Sequence, residues 1–310
     1  MGGRRMLAAL GAVAMLAGAC TEGSSTTDSR DSGSGKVTEG TAGALDIRLA
    51  VSEPTALQPE GARNPTTAVD PKSGTVFAAW ARHRLVPAGS HEDPVSEAVV
   101  ARSEDGGKTF STPVVVSGPQ DNVYSFAAAP TQVAVGPKGE VYALFNHHVQ
   151  HDYGLEGYTY DTRAFLRLAR SDDGGKTFSA PVEVAGEGVE GVVTSTEMHY
   201  VYAAPDGDVF VAFLDYRNQS DPKLQPAAKT YEKGKDAPPT EVRLTRSTDG
   251  GRTFSRSVLV SSNVCGCCGT KIAQAPNGPL YVTTRSEWYE LKGSYDAVRD
   301  LFVSVSRDDG

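Results

Sequence analysis

The stretch RSEDGGKTFS, from Arg102 to Ser111, decides the fold because it recurs. RSDDGGKTFS spans 170–179, RSTDGGRTFS spans 246–255, and SRDDG at 306–310 begins a fourth copy. The leading serines Ser103, Ser171, Ser247 and Ser306 stand 68, 76 and 59 residues apart. A β-type run precedes each copy: AVVARS (98–103), FLRLARS (165–171), VRLTRS (242–247) and LFVSVS (301–306). Another follows each complete copy: PVVVS (113–117), PVEVA (181–185) and SVLVS (257–261). Glycine-rich sequence between two such runs reads as a hairpin turn.

A second repeat lies upstream of each of these turns. AVDPKSGTVFAAW (68–80), VAVGPKGEVYALF (133–145), VYAAPDGDVFVAF (201–213) and IAQAPNGPLYVTT (272–284) each read as strand, turn, strand. One unit is therefore strand, turn, strand, loop, strand, turn, strand. Repeats of this size mark stacked or radial architectures. The expected fold class is all-β, a β-propeller of four-stranded antiparallel blades.

The pattern Ser-x-Asp-x-Gly-x-Thr-aromatic resembles the Asp box of the sialidase superfamily. It is met in full by Ser103, Asp105, Gly107 and Phe110, by Ser171, Asp173, Gly175 and Phe178, and by Ser247, Asp249, Gly251 and Phe254. The carboxylate can accept turn N–H groups, and the glycine supplies positive φ. The resemblance implies a structural role at the propeller's periphery, with the aromatic packed between blades. Sialidase propellers have six blades, which would need roughly 400 residues at this repeat length. About four blades are present, so the chain is expected to be a C-terminally truncated piece lacking about 100–150 residues. The segment DIRLAVS (46–52) is expected to complete the last blade and close the ring. The isolated piece 45–310, with open sheet edges, is expected to aggregate.

Composition narrows the function. The 310 residues are 39% hydrophobic and 22% charged, which excludes wholesale disorder. Formal charge is −8, so no basic surplus exists to neutralise phosphates and nucleic acid is not an expected partner. No Gly-x-Ser-x-Gly, His-Glu-x-x-His or phosphate-cradling glycine loop occurs, and no loop has calcium-ligand spacing.

Residues 1–20 combine Arg4 and Arg5, a short apolar run and small residues before Cys20. This reads as a secretory signal. Leu16-Ala17-Gly18-Ala19-Cys20 resembles a bacterial lipobox, which implies lipidation at Cys20; the alternative is a plain signal peptide. Residues 21–44, nearly free of apolar side chains, read as a tether, and 45–310 as the propeller. The expectation is an exported monomer, either lipid-anchored at the bacterial cell envelope (the outer membrane in a Gram-negative organism) or extracellular, with a glycan or glycoconjugate as its partner.

Five clusters bear chemistry. Ala62-Arg63-Asn64-Pro65 resembles the aromatic-Arg-Ile-Pro motif of sialidases at Arg63 and Pro65, and departs from it at Ala62 and Asn64. The resemblance makes Arg63 a carboxylate grip, a task suited to a planar guanidinium; the alternative is a turn into strand one. His91-Glu92-Asp93 stands where that family carries its acid/base carboxyl, so Asp93, ten residues before Ser103, is a catalytic candidate or part of a solvated loop. Arg285, with Arg299 and Asp300 nearby, is a second candidate grip; Arg82, Arg84 and Arg217 stand at similar places, so an arginine there can equally be a rim habit. Sialidases use a Tyr nucleophile paired with Glu. That Tyr comes late in such chains, and Glu197 and Glu287 are the local options for its partner. The resulting activity would be exo-α-sialidase hydrolysis, needing no cofactor.

The fourth cluster is Val264-Cys265-Gly266-Cys267-Cys268. It reads as a disulfide with one remaining thiol, or as a soft-metal site for copper or zinc. The fifth is the polar run 146–151, read as a loop carrying His147 and His148, with Met198-His199 at the start of blade three. His147, His148 and His199 are candidate metal ligands together with Cys265, Cys267 and Cys268. A non-catalytic binding propeller remains an alternative, because fold does not fix function.

Overall fold

The computed structural model describes Leu57 and residues 61–83, 96–151, 161–221, 239–275, 278–286, 289–290 and 297–307. The expected signal, Cys20, the tether, the closing strand at 46–52, Arg84, Asp93 and Glu287 lie outside the described residues.

Among the described residues the strands form five antiparallel sheets, four successive larger ones and a two-stranded ladder. Blade one is β1 (Ala62–Val69), β2 (Val76–His83), β3 (Ser96–Ser103) and β4 (Val114–Val115), hydrogen-bonded in that order. Blade two comprises β5 (Val123–Tyr124), β6 (Gln132–Val135), β7 (Val141–His151), β8 (Asp161–Ser171) and β9 (Val182–Ala185). Both β5 and β6 pair with β7, so together they form one interrupted inner strand. A one-turn helix α1 (Glu187–Glu190) leads into blade three, which is β10 (Thr196–Ala203), β11 (Val209–Asp215), β12 (Glu241–Ser247) and β13 (Val258–Ser262). A second short helix, α2 (Arg217–Ser220), follows β11. Blade four contains β14 (Lys271–Gln274), β15 (Leu280–Arg285) and β18 (Leu301–Ser306), with a small ladder of β16 (Tyr289–Glu290) and β17 (Ala297–Val298) between β15 and β18 in sequence.

The inner strands β1, β6, β10 and β14 are neighbours in turn, so the blades are arrayed around a common axis. Side-chain alternation along each second strand explains the packing. On β2, Phe77, Ala79 and Ala81 join the core shared with Val141, Ala143 and Phe145 of β7. The opposite face of β7, Tyr142 and Leu144, joins Val209, Val211 and Phe213 of β11. The other face of β11, Phe210, Ala212 and Leu214, joins Ile272, Leu280 and Val282 of blade four. The middle strands β2, β7 and β11 are covered on both faces, which is why their sequences are apolar runs rather than alternations, whereas β15 alternates and leaves Thr283 and Arg285 exposed.

All three complete turns form the same network. Ser103 Oγ donates to Asp105 Oδ1 at 2.7 Å and accepts the Gly107 N–H at 2.8 Å. Thr109 gives its N–H to Asp105 Oδ1 at 2.9 Å and its hydroxyl to Oδ2 at 2.6 Å. The Ser171–Asp173–Thr177 and Ser247–Asp249–Thr253 sets repeat it. Phe178 and Phe254 pack into the cores shared with the preceding blade, as expected; Phe110 packs on Ala78, Trp80, Val99 and Ala101 of its own blade.

Residues 146–151 are not a loop. They continue β7, with Asn146 paired to Leu166 and His151 to Asp161. The polar composition suggested a turn, but a partner strand of eleven residues takes up every backbone position of the run.

Candidate functional site

Topology separates the two ends of every blade. The Ser-Asp-Thr turns and the turns between first and second strands lie at one end. The start of each inner strand, the end of the second and the start of the third lie at the other. Arg63, Glu197, the cysteines and Arg285 all belong to this second, axial end.

There the inner strand of every blade breaks its pairing at the same level. In blade one Arg63 pairs with Ala81 and Thr66 with Ala79, so Asn64 and Pro65 bulge opposite Trp80. In blade three Glu197 pairs with Leu214 and Tyr200 with Ala212, so Met198 and His199 bulge opposite Phe213. Asn64 and Met198 both take φ of 49°. Blade two inserts Ser125–Thr131 between the pairs Tyr124–Asn146 and Gln132–Leu144. Blade four inserts Cys265–Thr270 between Val264–Ser286 and Lys271–Thr283. Bulges re-aim side chains beside functional sites.

The blade-two insertion is fastened on both sides. Asn64 Nδ2 donates to Ser125 Oγ at 3.3 Å, and Thr66 Oγ1 donates to the Thr131 carbonyl at 2.8 Å. On the other side the His199 Nε2–H donates to the Pro130 carbonyl at 2.9 Å. Gln132 donates to the His199 carbonyl at 2.6 Å and accepts the Val201 N–H at 3.1 Å. Phe126 and Ala128 then pack against the cluster holding Met198, Val264 and Ile272.

A cavity of about 390 Å³ opens at this end, lined by Arg163, Ser195, Glu197, Tyr216, Gln219 and Ser220. Burial holds the Glu197 carboxyl above its ordinary range. Burial, then the Glu197 charge, then Cys267 raise the Tyr216 phenol. Its hydroxyl donates to the Gly266 carbonyl at 2.6 Å, so Tyr216 offers a ring face rather than a ready nucleophile. Arg163 is held by the Ser220 carbonyl at 2.9 Å. A larger apolar cavity of about 480 Å³ lies between blades three and four, against Leu244, Leu259, Leu280, Val282 and Val305. Among its described lining residues, Arg307 is the one charged group, and Ser304 and Ser306 are the other polar ones.

Of the expected catalytic trio, Arg63 and Arg285 fall within the described residues. Arg63 is exposed, with Nη2 donating to His83 Nε2 at 2.8 Å. Arg285 Nη1 stands 3.7 Å from Cys268 Sγ. Asp93 lies outside the described residues. Arg82 is paired with Glu97 at 2.8 Å, and Arg217 is held by Asp215 at 2.7 Å and Glu190 at 2.8 Å. Glu197, by contrast, gains a context. Arg163, Ser195, Tyr216, Gln219 and Ser220 were not singled out from the sequence. They come from three separate segments and share no local pattern.

The histidines do not join the cysteines. Among the described residues, Cys265, Cys267 and Cys268 are the group that could jointly hold a metal ion, their sulfurs within 4.8 Å of one another. His147 Nδ1 accepts the Asn122 N–H at 3.0 Å and stands 3.5 Å from Asp121. His148 stacks on Tyr124, ring centroids 4.0 Å apart, and burial followed by the His147 charge lowers it to about 4. Burial lowers His199 to about 4 as well, with Nε2 already donating to Pro130. Successive residues of β7 point to opposite faces, so His147 and His148 cannot converge on one ion.

A disulfide joins Cys265 to Cys268, and Cys267 carries the free thiol. Cys267 Sγ lies 3.3 Å from Cys265 Sγ. Arg299 Nη1 donates to Cys265 Sγ at 2.8 Å and stands 3.7 and 3.8 Å from the sulfurs of Cys267 and Cys268.

The sequence matches no protein-family model and no curated protein. Among solved structures, a Hadza microbial sialidase aligns at 19% identity and TM-score 0.47, over 81% of this chain and 45% of its own. The α-L-arabinofuranosidase of Fusarium graminearum aligns at 16% and 0.49, over 82% of this chain and 65% of its own. Trypanosoma rangeli sialidase aligns at 14% and 0.42, over 79% and 36%. The chain thus spans under two thirds of each of these proteins. Among its described residues, no helix is long and apolar enough to cross a membrane.

Proposed function

We propose that the protein binds a glycan at the axial end of its blades, in the cavity between Glu197 and Tyr216. The observation that carries this is the lining itself: one guanidinium, one carboxyl raised above its ordinary range by burial, an amide, two serines and a half-buried phenol. Sugars are recognised by such polar groups beside a ring face, and about 390 Å³ lies within the roughly 300–1,000 Å³ usual for small-molecule sites. Arg163 fits an acidic sugar, since a guanidinium matches a carboxylate in two parallel bonds. The resemblance of the turn motif to sialidases points the same way. In the finer reading the reaction is exo-α-sialidase hydrolysis, with Glu197 as proton donor and Arg63 at the rim. The leader-like residues 1–20 fit a protein held at the bacterial envelope through Cys20.

The test uses the full chain, a fluorogenic α-sialoside and a glycan array. Turnover abolished in Glu197→Gln establishes a hydrolase. Array binding without turnover, weakened about tenfold or more in Tyr216→Ala, establishes a binding propeller. A folded protein that neither turns over the sialoside nor binds any glycan overturns the proposal.

A further inference from the structure

We propose that the Cys265–Cys267–Cys268 loop is a reductively gated binding site for one Cu(I) ion, independent of the glycan reading. The loop is the blade-four version of the inner-strand interruption, fixed at one end by the Val264–Ser286 bridge and at the other by Lys271–Thr283. It places three sulfurs within 4.8 Å of one another. Cys265 is buried, Cys268 half-buried and Cys267 exposed, so the site has both a protected floor and an open door.

Ligand number and charge select the ion. Structural zinc is almost always four-coordinate and tetrahedral. The described residues offer three sulfurs and no further His, Asp or Glu within that group. Soft thiolates suit Cu(I), which is content with three. Three thiolates around Cu(I) carry a net charge of −2. The guanidiniums of Arg299 and Arg285, which touch these sulfurs, supply +2. With Zn(II) the same set would leave +1 and an empty coordination position. Arg299 and Arg285 therefore serve as charge-balancing N–H donors to sulfur, the outer-shell role that tunes metal sites.

Loading is gated by the disulfide. A dithiol reductant gives two electrons and two protons to the Cys265–Cys268 bond and leaves as its own cyclic disulfide. The protein then holds three thiols. Cu(I) displaces one proton from each, and three Cu–S bonds form.

The full chain carrying Cys20→Ser, which removes the fourth cysteine, is reduced with a dithiol, freed of it without air, and titrated with Cu(I) against a chromogenic Cu(I) chelator. One Cu(I) per chain with thiolate-to-copper absorption in the ultraviolet is expected. Omitting the reductant should prevent loading. Cys267→Ser keeps both disulfide cysteines and should melt as the wild type does, yet should lose copper to the chelator. Arg299→Met should weaken retention about tenfold or more. Stoichiometry below one, retention unchanged in Cys267→Ser, or displacement of bound Cu(I) by an equal amount of Zn(II) overturns the proposal.

Discussion

The two ends of the blades differ in how they treat their repeats. At the turn end, three sets of Ser, Asp and Thr make one hydrogen-bond network with nearly the same distances. At the axial end the chain breaks the inner strand at the same level four times, and fills each break differently: Asn-Pro, a seven-residue loop, Met-His, and the cysteine loop. Identity at one end holds the blades in register. Variety at the other gives each blade its own chemistry. Repetition therefore marks architecture here, and departure from it marks candidate function.

The sharpest way to break this contrast is at the turn end. Gly175 has φ of 78°, and a Cβ there would lie 2.8 Å from Phe77 Cε1 of the preceding blade. Gly107 has φ of 90° but open space around it. Gly175→Ala should cost about 2–4 kcal/mol, combining backbone strain with overpacking. Gly107→Ala should cost about 1–2 kcal/mol from strain alone. Urea unfolding of the two variants measures both. Equal losses would show that the turn is a local device without a role in blade packing.

The ends should also respond to pH in opposite directions. Hydrogen bonds from Thr109 and Thr177, then from Ser103 and Ser171, hold Asp105 and Asp173 well below the usual carboxylate range. Their contribution is present above the unfolded value near 3.8 and is lost as pH falls through the folded one. Asp173→Asn should flatten the acid limb of the stability curve. Glu197 is shifted upward by burial, so its neutral form stabilises the fold below its unfolded value, and that benefit is lost as pH rises through the raised one. Against wild type, Glu197→Gln should therefore gain relative stability at neutral and higher pH. Chemical denaturation of both variants from pH 3 to 8 checks the signs; a neutral-pH loss in Glu197→Gln would mean that the carboxylate is paired and the cavity is misread.

The fold was legible in sequence because turn chemistry is local. Ser103, Asp105, Gly107 and Thr109 sit within seven residues and recur. Strand pairs were legible from apolar runs and Pro/Gly turns. The axial cavity was not, since Arg163, Glu197 and Tyr216 approach only after three segments fold together. The stretch 146–151 misled because a polar composition outweighed pairing potential, and only the matching length of β8 shows it to be strand. The cysteine loop was recognised as chemistry, but its pairing and its two arginines needed coordinates. Arg299 stands 31 residues beyond Cys268 in sequence, with nothing local to connect them.

The finest test asks whether the axial bulges are built or tolerated. Asn64 adopts φ of 49° and gives its amide to Ser125 Oγ, tying blade one to the blade-two insertion. Asparagine enters the left-handed region more readily than other residues with a Cβ. Asn64→Ala loses the hydrogen bond and adds backbone strain, an expected cost of about 2 kcal/mol. Asn64→Gly loses the same bond but relieves the backbone, so it should cost about 1 kcal/mol less. If the bulge positions Arg63 for a ligand, both variants should weaken glycan binding by more than their stability losses imply, because Arg63 is the next residue. Unchanged affinity in a destabilised Asn64→Ala protein would assign the bulge to blade docking alone and leave the cavity of blade three as the functional break.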